Sequence, residues 1–275
     1  MTESARPLFP PVFTGGWRQG GGRPVLGPAT RPLAGRAARA YLLGMVRSLR
    51  PSLAPLPDVW VFDLDNTLYP ASCSLFPQID RRMRQFIAEA LHLPPDEAFR
   101  LQKQYYHQYG TTLRGLMLGH GIEPDAFLAY VHDIDCGVLE PAPALDAALA
   151  ALPGRRLIYT NGSERHAVNV LERLGIARYF DGIFDIRAAG YIPKPDAESY
   201  RRMMERHHVA PARAAMFEDI ARNLLPAAQA GMTTVLVRGD AGGWQPPEGE
   251  GPLDHVHHVT DDLAGWLAAV VKSGA

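Results

Sequence analysis

Two aspartates spaced by one residue, Asp63 and Asp65, close an apolar run that begins at Val59-Trp60-Val61-Phe62. A carboxylate can act as nucleophile, proton carrier or hard ligand for a cation, and leaving it buried and unpaired is costly. Further along, Thr160-Asn161 follows Arg156-Leu157-Ile158-Tyr159, Lys194 lies between Pro193 and Pro195, and Glu218-Asp219 follows Ala214-Ala215-Met216-Phe217. Carboxylates gathered from such positions could not all stay ionised, because two like charges at 4 Å cost ~4 kcal/mol at an effective dielectric of 20. A divalent cation resolves the conflict. Oxygen-only ligands without His or Cys suit Mg²⁺, which leaves room for water and phosphate. Thr160, the backbone N–H groups around Asn161 and the ammonium of Lys194 are donors fit for an anion. Acids, a metal and anion donors are the parts of a phosphoryl-transfer site. Asn223, four residues after Asp219 and on the same helical face, is placed to orient the metal-site carboxylates.

For these residues to meet, parallel strands must end side by side. The run before Asp63 lacks polar alternation, which predicts a central strand buried on both faces. Residues i and i+2 of a strand share a side, so Asp63 and Asp65 are expected to project together at or just past its C-terminal end. From residue 153 onward, strand-like runs at 156–161, 182–186, 214–217 and 233–237 alternate with helical patterns, the last over about 261–271. That alternation predicts a doubly wound, mostly parallel, Rossmann-like α/β sheet, whose ligands bind beyond the strands' carboxyl ends. Residues 75–152 interrupt the alternation. Apolar residues at helical spacing predict five helices there, far more chain than an ordinary connection needs. The expected organisation is an α/β core at 58–74 and 153–275, with a helical cap inserted over 75–152.

At 275 residues the chain is long enough to bury roughly 75% of its unfolded surface without disulfides. Its two cysteines, Cys73 and Cys136, form no metal-ligand pattern and are read as inert, and so few thiols fit a reducing, cytoplasmic setting. No apolar run approaches the ~18 residues of a membrane span. The first 57 residues carry eight arginines against one glutamate. With a net charge of −1 for the whole chain, the remainder carries −8, which argues against a nucleic-acid-binding body. Residues 1–57 are rich in Pro and Gly and read as a disordered basic extension. Within them Arg36, Arg39, Arg47 and Arg50 fall within about 80° on a helical wheel. Such a face resembles an organellar transit segment or a membrane-surface helix; an unstructured extension, or a true start at Met45, is the plainer reading.

Taken together, Asp63-x-Asp65-x-Thr67, Thr160, Lys194 and Glu218-Asp219, in that order at strand ends with an insertion after the first, resemble the haloacid dehalogenase superfamily. The resemblance implies Asp63 as a nucleophile that forms an aspartyl-phosphate, Asp65 as general acid and then base, and Thr67 in support. It also implies Mg²⁺ held by Asp63, Asp219 and the main-chain carbonyl of Asp65, with Glu218 acting through water. Dehalogenating members lack the acid two residues after the nucleophile, so Asp65 favours phosphate substrates. Crowding of these carboxylates is expected to push one of them up and supply a protonated acid near neutral pH.

A narrower resemblance joins Phe62–Pro70, Leu75–Asp80, Tyr105–Met117, Val131–Asp135 and Ala215–Leu224 to the pyrimidine 5′-nucleotidase branch. It implies hydrolysis of UMP- or CMP-like monophosphates to nucleoside and phosphate. Other capped phosphatases or phosphomutases, acting on phosphoglycolate or sugar phosphates, share the core motifs, and a non-catalytic binder would keep the same fold. Tyr105, Tyr106 and Tyr109 could stack on a base, although at helical spacing they suit cap core better. Arg114 could reach the substrate or be a solvated charge. His132, Asp133 and Asp135 could touch ribose or instead cap helices and join cap to core. His255, His257 and His258 lack an acidic or thiol partner and suit a polar strand or loop better than a metal site.

Overall fold

The computed structural model describes residues 53, 55–239 and 253–274; the Arg-rich segment and most of the loop before the last helix lie outside them. Six strands, β1 (Val59–Phe62), β2 (Arg155–Tyr159), β3 (Gly182–Phe184), β4 (Ala214–Glu218), β5 (Thr233–Val237) and β6 (His258–Thr260), form one sheet in the order β3-β2-β1-β4-β5-β6. Every pairing is parallel. β1 lies between β2 and β4, with Phe62 in register with both Ile158 and Phe217. That register aligns the strands' carboxyl ends, which is why residues 63, 160 and 218 come together.

Strand alternation sorts the two faces. Trp60 and Phe62 pack with Phe217, Val235 and three helices: α5 (Pro143–Ala151), α6 (Glu164–Leu174) and α9 (Leu263–Gly274). Val59 and Val61 pack on the other side with Met216, Leu236, α7 (Ala197–His207) and α8 (Ala221–Ala230). Both faces are therefore covered, as an all-parallel sheet requires. Gly154 makes the turn into β2 at φ +77°, and a Cβ there would meet the carbonyl oxygen of Asp58 at 2.3 Å, so no larger residue fits.

Between β1 and β2 the chain forms α1 (Leu75–Leu91), α2 (Pro95–Tyr109), α3 (Thr112–His120) and α4 (Pro124–Val131) before reaching α5. Prolines stand at the starts of α2, α4 and α5, where a missing N–H costs nothing and the fixed φ already suits a helix. Ile79 and Ile87 of α1, Leu113 and Leu116 of α3, and Phe127 and Leu128 of α4 share a separate apolar core. The fifth helix departs from the expected 75–152 cap. Leu145, Ala148, Leu149 and Leu152 pack with the sheet and α9, so α1–α4 form the cap and α5 is a helix of the sheet layer. Periodicity had shown that its face was apolar, but not which surface would cover it. β6 settles the histidine cluster: His257 Nδ1 accepts from the Thr234 amide at 3.0 Å and His255 Nε2 lies 2.7 Å from the Ala221 carbonyl. His257 thus holds the segment before β6 to β5, and His255 holds it to the start of α8.

Phe217 is fully buried and stacks on Phe62 with centroids 4.7 Å apart, with Trp60 and Trp266 on its other contacts. Phe217→Ala is expected to destabilise the protein by about 3–5 kcal/mol, read as a lowered urea midpoint.

Candidate active site

The site is built from the ends of β1, β2 and β4 and the loop that carries Lys194. Lys194 is 2% exposed, and its Nζ donates to Asp63 Oδ1 at 2.6 Å, to Glu218 Oε2 at 2.6 Å and to the Tyr159 carbonyl at 3.0 Å. Thr67 Oγ1 donates to the other oxygen of Asp63 at 3.0 Å. Glu218 Oε1 accepts from Asn223 Nδ2 at 3.1 Å. Asn161 positions the lysine from outside: its Oδ1 accepts from the Lys194 amide at 2.9 Å and its Nδ2 donates back to the Lys194 carbonyl at 3.4 Å. Thr160 Oγ1 accepts from the Gly162 amide at 2.9 Å and fixes the turn after β2.

One ligand atom each from Asp63, Glu218 and Asp219 lie within 4.8 Å of one another. Three carboxylates thus share one buried ammonium. Burial, then the neighbouring Glu218, pushes the Asp63 carboxyl up to about 7 despite Lys194. Burial, Glu218 and Asp63 push Asp219 up as well. Burial works against the Lys194 charge, but Asp63 and Glu218 outweigh it and hold the ammonium above its ordinary range.

Asp65 has different company. The strand ends at Phe62, so the two-residue alternation no longer governs residues 63–65. Both aspartates line one cavity, but they bond to separate groups. Asp65 Oδ1 lies 2.7 Å from Nε2 of the buried His166, and the Tyr69 hydroxyl donates to the same oxygen at 2.5 Å. Burial raises the Asp65 carboxyl, but the charge and hydrogen bond of His166, joined by Tyr69, outweigh it and bring it down to about 2. The crowded carboxyls pushed upward are Asp63 and Asp219, and Asp65 is held ionised; the expectation that crowding supplies a protonated acid is met at the wrong residues for a general acid. The donors on Asp65 decide this, and they come from elsewhere in the chain.

His166 lies outside every motif, and Tyr69 lies inside the Phe62–Pro70 stretch without a role read for it. Tyr69 is four residues beyond Asp65. His166 stands in the first turn of α6, where Ser163 Oγ accepts from its amide. That polar start to an otherwise amphipathic helix was the available signal. The ring of His132, at the end of α4, stacks on His166 with centroids 4.4 Å apart and planes 10° from parallel. His132 Nδ1 lies 2.8 Å from Ser163 Oγ. Burial, then His166, pushes His132 down to about 3, so it is neutral at ordinary pH. This is a cap–core contact, one of the two readings open for His132.

The cap roofs the cavity with Phe76, Ile79, Met83, Leu113, Phe127 and Val131, while Gln102, Lys103, Tyr106 and Arg222 add polar groups. Tyr105, Tyr109 and Arg114 are not among the lining residues. Tyr105 packs on Gly115, where an added Cβ would sit 2.3 Å from its ring, and its ring meets Tyr109 at 5.7 Å. Arg114 reaches the Tyr191 carbonyl at 3.5 Å. Tyr106 lines the cavity instead, about 100° around the helix from Tyr105, with the Arg222 guanidinium 4.8 Å from its ring centre. Asp133 pairs with Arg82, and Asp135 caps a short turn through the Gly137 amide.

Residues 57–231 match the family model described as haloacid dehalogenase-like hydrolase. Over 145 residues the chain is 33% identical to phosphate metabolism protein 8 of Saccharomyces cerevisiae, covering 48% of this chain and 44% of that protein. The chain thus spans less than half the length of the curated relatives it matches. Its fold is similar to that of a haloacid dehalogenase-type phosphatase from Thermococcus onnurineus (TM-score 0.51, 18% identity, 74% of this chain and 92% of that one). It is similar also to that of L-2-haloacid dehalogenase from Xanthobacter autotrophicus (TM-score 0.50, 18% identity, 80% and 100%).

The raised carboxyls of Asp63 and Asp219 bind protons in the folded protein at a pH where the unfolded chain, with ordinary values near 3.9, has released them. Stability from these groups is therefore present in acid and lost as pH rises from about 4 to about 7. A divalent cation on the carboxylates cancels that loss. Saturating Mg²⁺ is expected to raise Tm by about 5 °C near pH 7.5 and by much less near pH 5. Thermal melts with Mg²⁺ and with EDTA measure it, and equal shifts at the two pH values would contradict the assignment.

Proposed function

The chain belongs to the haloacid dehalogenase-like hydrolases, and from that premise we propose that it is a Mg²⁺-dependent phosphomonoesterase acting through an aspartyl-phosphate on Asp63. The observation that carries the reading is the separation of Asp63 and Asp65 into two environments inside one cavity. One is set against Lys194 and two further carboxylates, the other against a histidine and a tyrosine. Carboxylates divided in this way take different roles in one reaction.

Asp63 and Asp219 are hard oxygen donors that fit Mg²⁺, and the family resemblance adds the main-chain carbonyl of Asp65. Both oxygens of Glu218 are already engaged by Lys194 and Asn223, which suits a role through water. When bound, the cation offsets charge on the phosphoryl oxygens. Lys194, its three N–H groups already engaged, serves the same anion through its charge, and the Asn161 amide and the Thr160 hydroxyl supply hydrogen-bond donors. The Asp63 carboxylate attacks phosphorus as the bond to the leaving oxygen breaks. His166 and Tyr69 favour the carboxylate form of Asp65 over its acid, so the proton it relays to that oxygen comes from a phosphomonoester monoanion as the bond breaks. In the second step Asp65 removes a proton from the attacking water, and Asp63 is released with inorganic phosphate.

The leaving group faces a wall of Phe76, Ile79, Met83, Leu113 and Phe127, with polar atoms on Gln102 and Arg222. Such a wall favours a body with an apolar face and a few hydrogen-bonding edges, as in UMP or CMP, over phosphoglycolate or a hexose phosphate, which would leave it poorly covered. With Mg²⁺, phosphate release from a panel of monoesters is expected to favour UMP and CMP by at least ~10-fold in kcat/KM over phosphoglycolate and hexose phosphates. Absence of release from every ester would leave the binding-protein alternative. Asp63→Asn is expected to lower kcat by ~10³-fold or more, and activity surviving that change would remove the covalent step.

A further inference from the structure

The proposed chemistry asks Asp65 to pass a proton both ways, which needs one of its oxygens aimed at the reacting atoms. Both of its side-chain hydrogen bonds fall on Oδ1, from Tyr69 and His166. Among the described residues none falls on Oδ2. The Asp65 carboxylate can only accept, so Nε2 of His166 donates to it, while His166 Nδ1 is buried without a partner. His166 is only 1% exposed. Its amide is held by Ser163, and its ring lies flat beneath that of His132. His132 ends a cap helix, whereas His166 and Ser163 begin a helix of the sheet layer. Ser163 Oγ accepts from the His166 amide and also shares a hydrogen bond with His132 Nδ1. One cap side chain therefore rests on the ring that orients the acid/base carboxylate.

We propose that His166 is a positioning residue for Asp65, and that the His132–His166 stack carries the seating of the cap to that carboxylate. With the cap in place the His166 ring has one orientation and Oδ1 is pinned from two sides, which leaves Oδ2 for the reacting atoms. Without the stack the imidazole can turn, and the carboxylate loses one of its two anchors. The inference rests on the phosphomonoesterase reading and adds a coupling between cap and acid/base group that the family motifs do not contain.

The test exploits the leaving group. UMP expels an alkoxide that needs a proton, whereas p-nitrophenyl phosphate expels a stable phenolate that needs almost none. Single-turnover release of uridine and of nitrophenolate reports the first step for each. His166→Ala is expected to slow uridine release by ~10²-fold or more while slowing nitrophenolate release by less than ~10-fold, with KM for UMP nearly unchanged. His166→Gln keeps an N–H donor close to the Nε2 position and is expected to recover much of the loss. His132→Ala, which leaves both hydrogen bonds on Asp65 Oδ1 in place, is expected to show the same selective loss at about 10-fold. An equal fall on both esters, or no fall with UMP, overturns the proposal. Should His166→Ala not fold, His166→Gln and His132→Ala decide by the same comparison. A wild-type protein that released neither product would instead sink the phosphomonoesterase reading.

Discussion

The ammonium of Lys194, 2.6 Å from both Asp63 and Glu218, is the charge on which the site's geometry depends. Buried carboxylates repel, and each ion pair of this kind is bought with desolvation that only good hydrogen bonding offsets. Here the lysine has three acceptors, matching the three donors of its head group. Removing it would leave two buried acids facing each other beside Asp219, with only protons or a cation to separate them. The parallel sheet makes the arrangement possible. It delivers Asp63 from β1 and Glu218 from the adjacent β4, while Asn161 beyond β2 holds the lysine's loop against them.

A second constraint separates the two aspartates. Burial, together with the surplus negative charge of its cluster, pushes the Asp63 carboxyl upward. Asp65 takes donors from Tyr69 and His166, and its carboxyl is pulled down. Spacing alone makes these residues look equivalent. Their neighbours make them different, and the chemistry proposed here needs that difference. The cap contributes in two ways. It supplies the apolar wall, and through His132 it touches the group that anchors Asp65.

Much of this could be read directly from the chain. An unbroken apolar run ending in acids marks a central parallel strand, because only a strand covered on both faces lacks polar alternation. Alternating strands and helices require the right-handed crossovers that align strand ends. Asp63, Thr160 and Glu218 were therefore bound to approach one another, and Lys194 joins them on a loop that Asn161 holds. The insertion after β1 was legible because no ordinary connection is so long.

Local pattern could not decide which surface each apolar or aromatic face would meet. Tyr105, Tyr106 and Tyr109 are neighbours in one helix, yet only Tyr106 lines the cavity; a rotation of about 100° around the axis sends Tyr105 onto the glycines of α3 instead. The apolar stripe of α5 fits a cap or a sheet equally well, and only the presence of α9 draws it to the sheet. His166 is 101 positions from Asp65 and has no motif of its own. The sequence determined which charges would gather, because strand order and strand ends follow from hydrophobic pattern and chirality. The tertiary structure decided how those charges are held, because a carboxylate's proton affinity and orientation are set by donors that meet it only when distant segments pack.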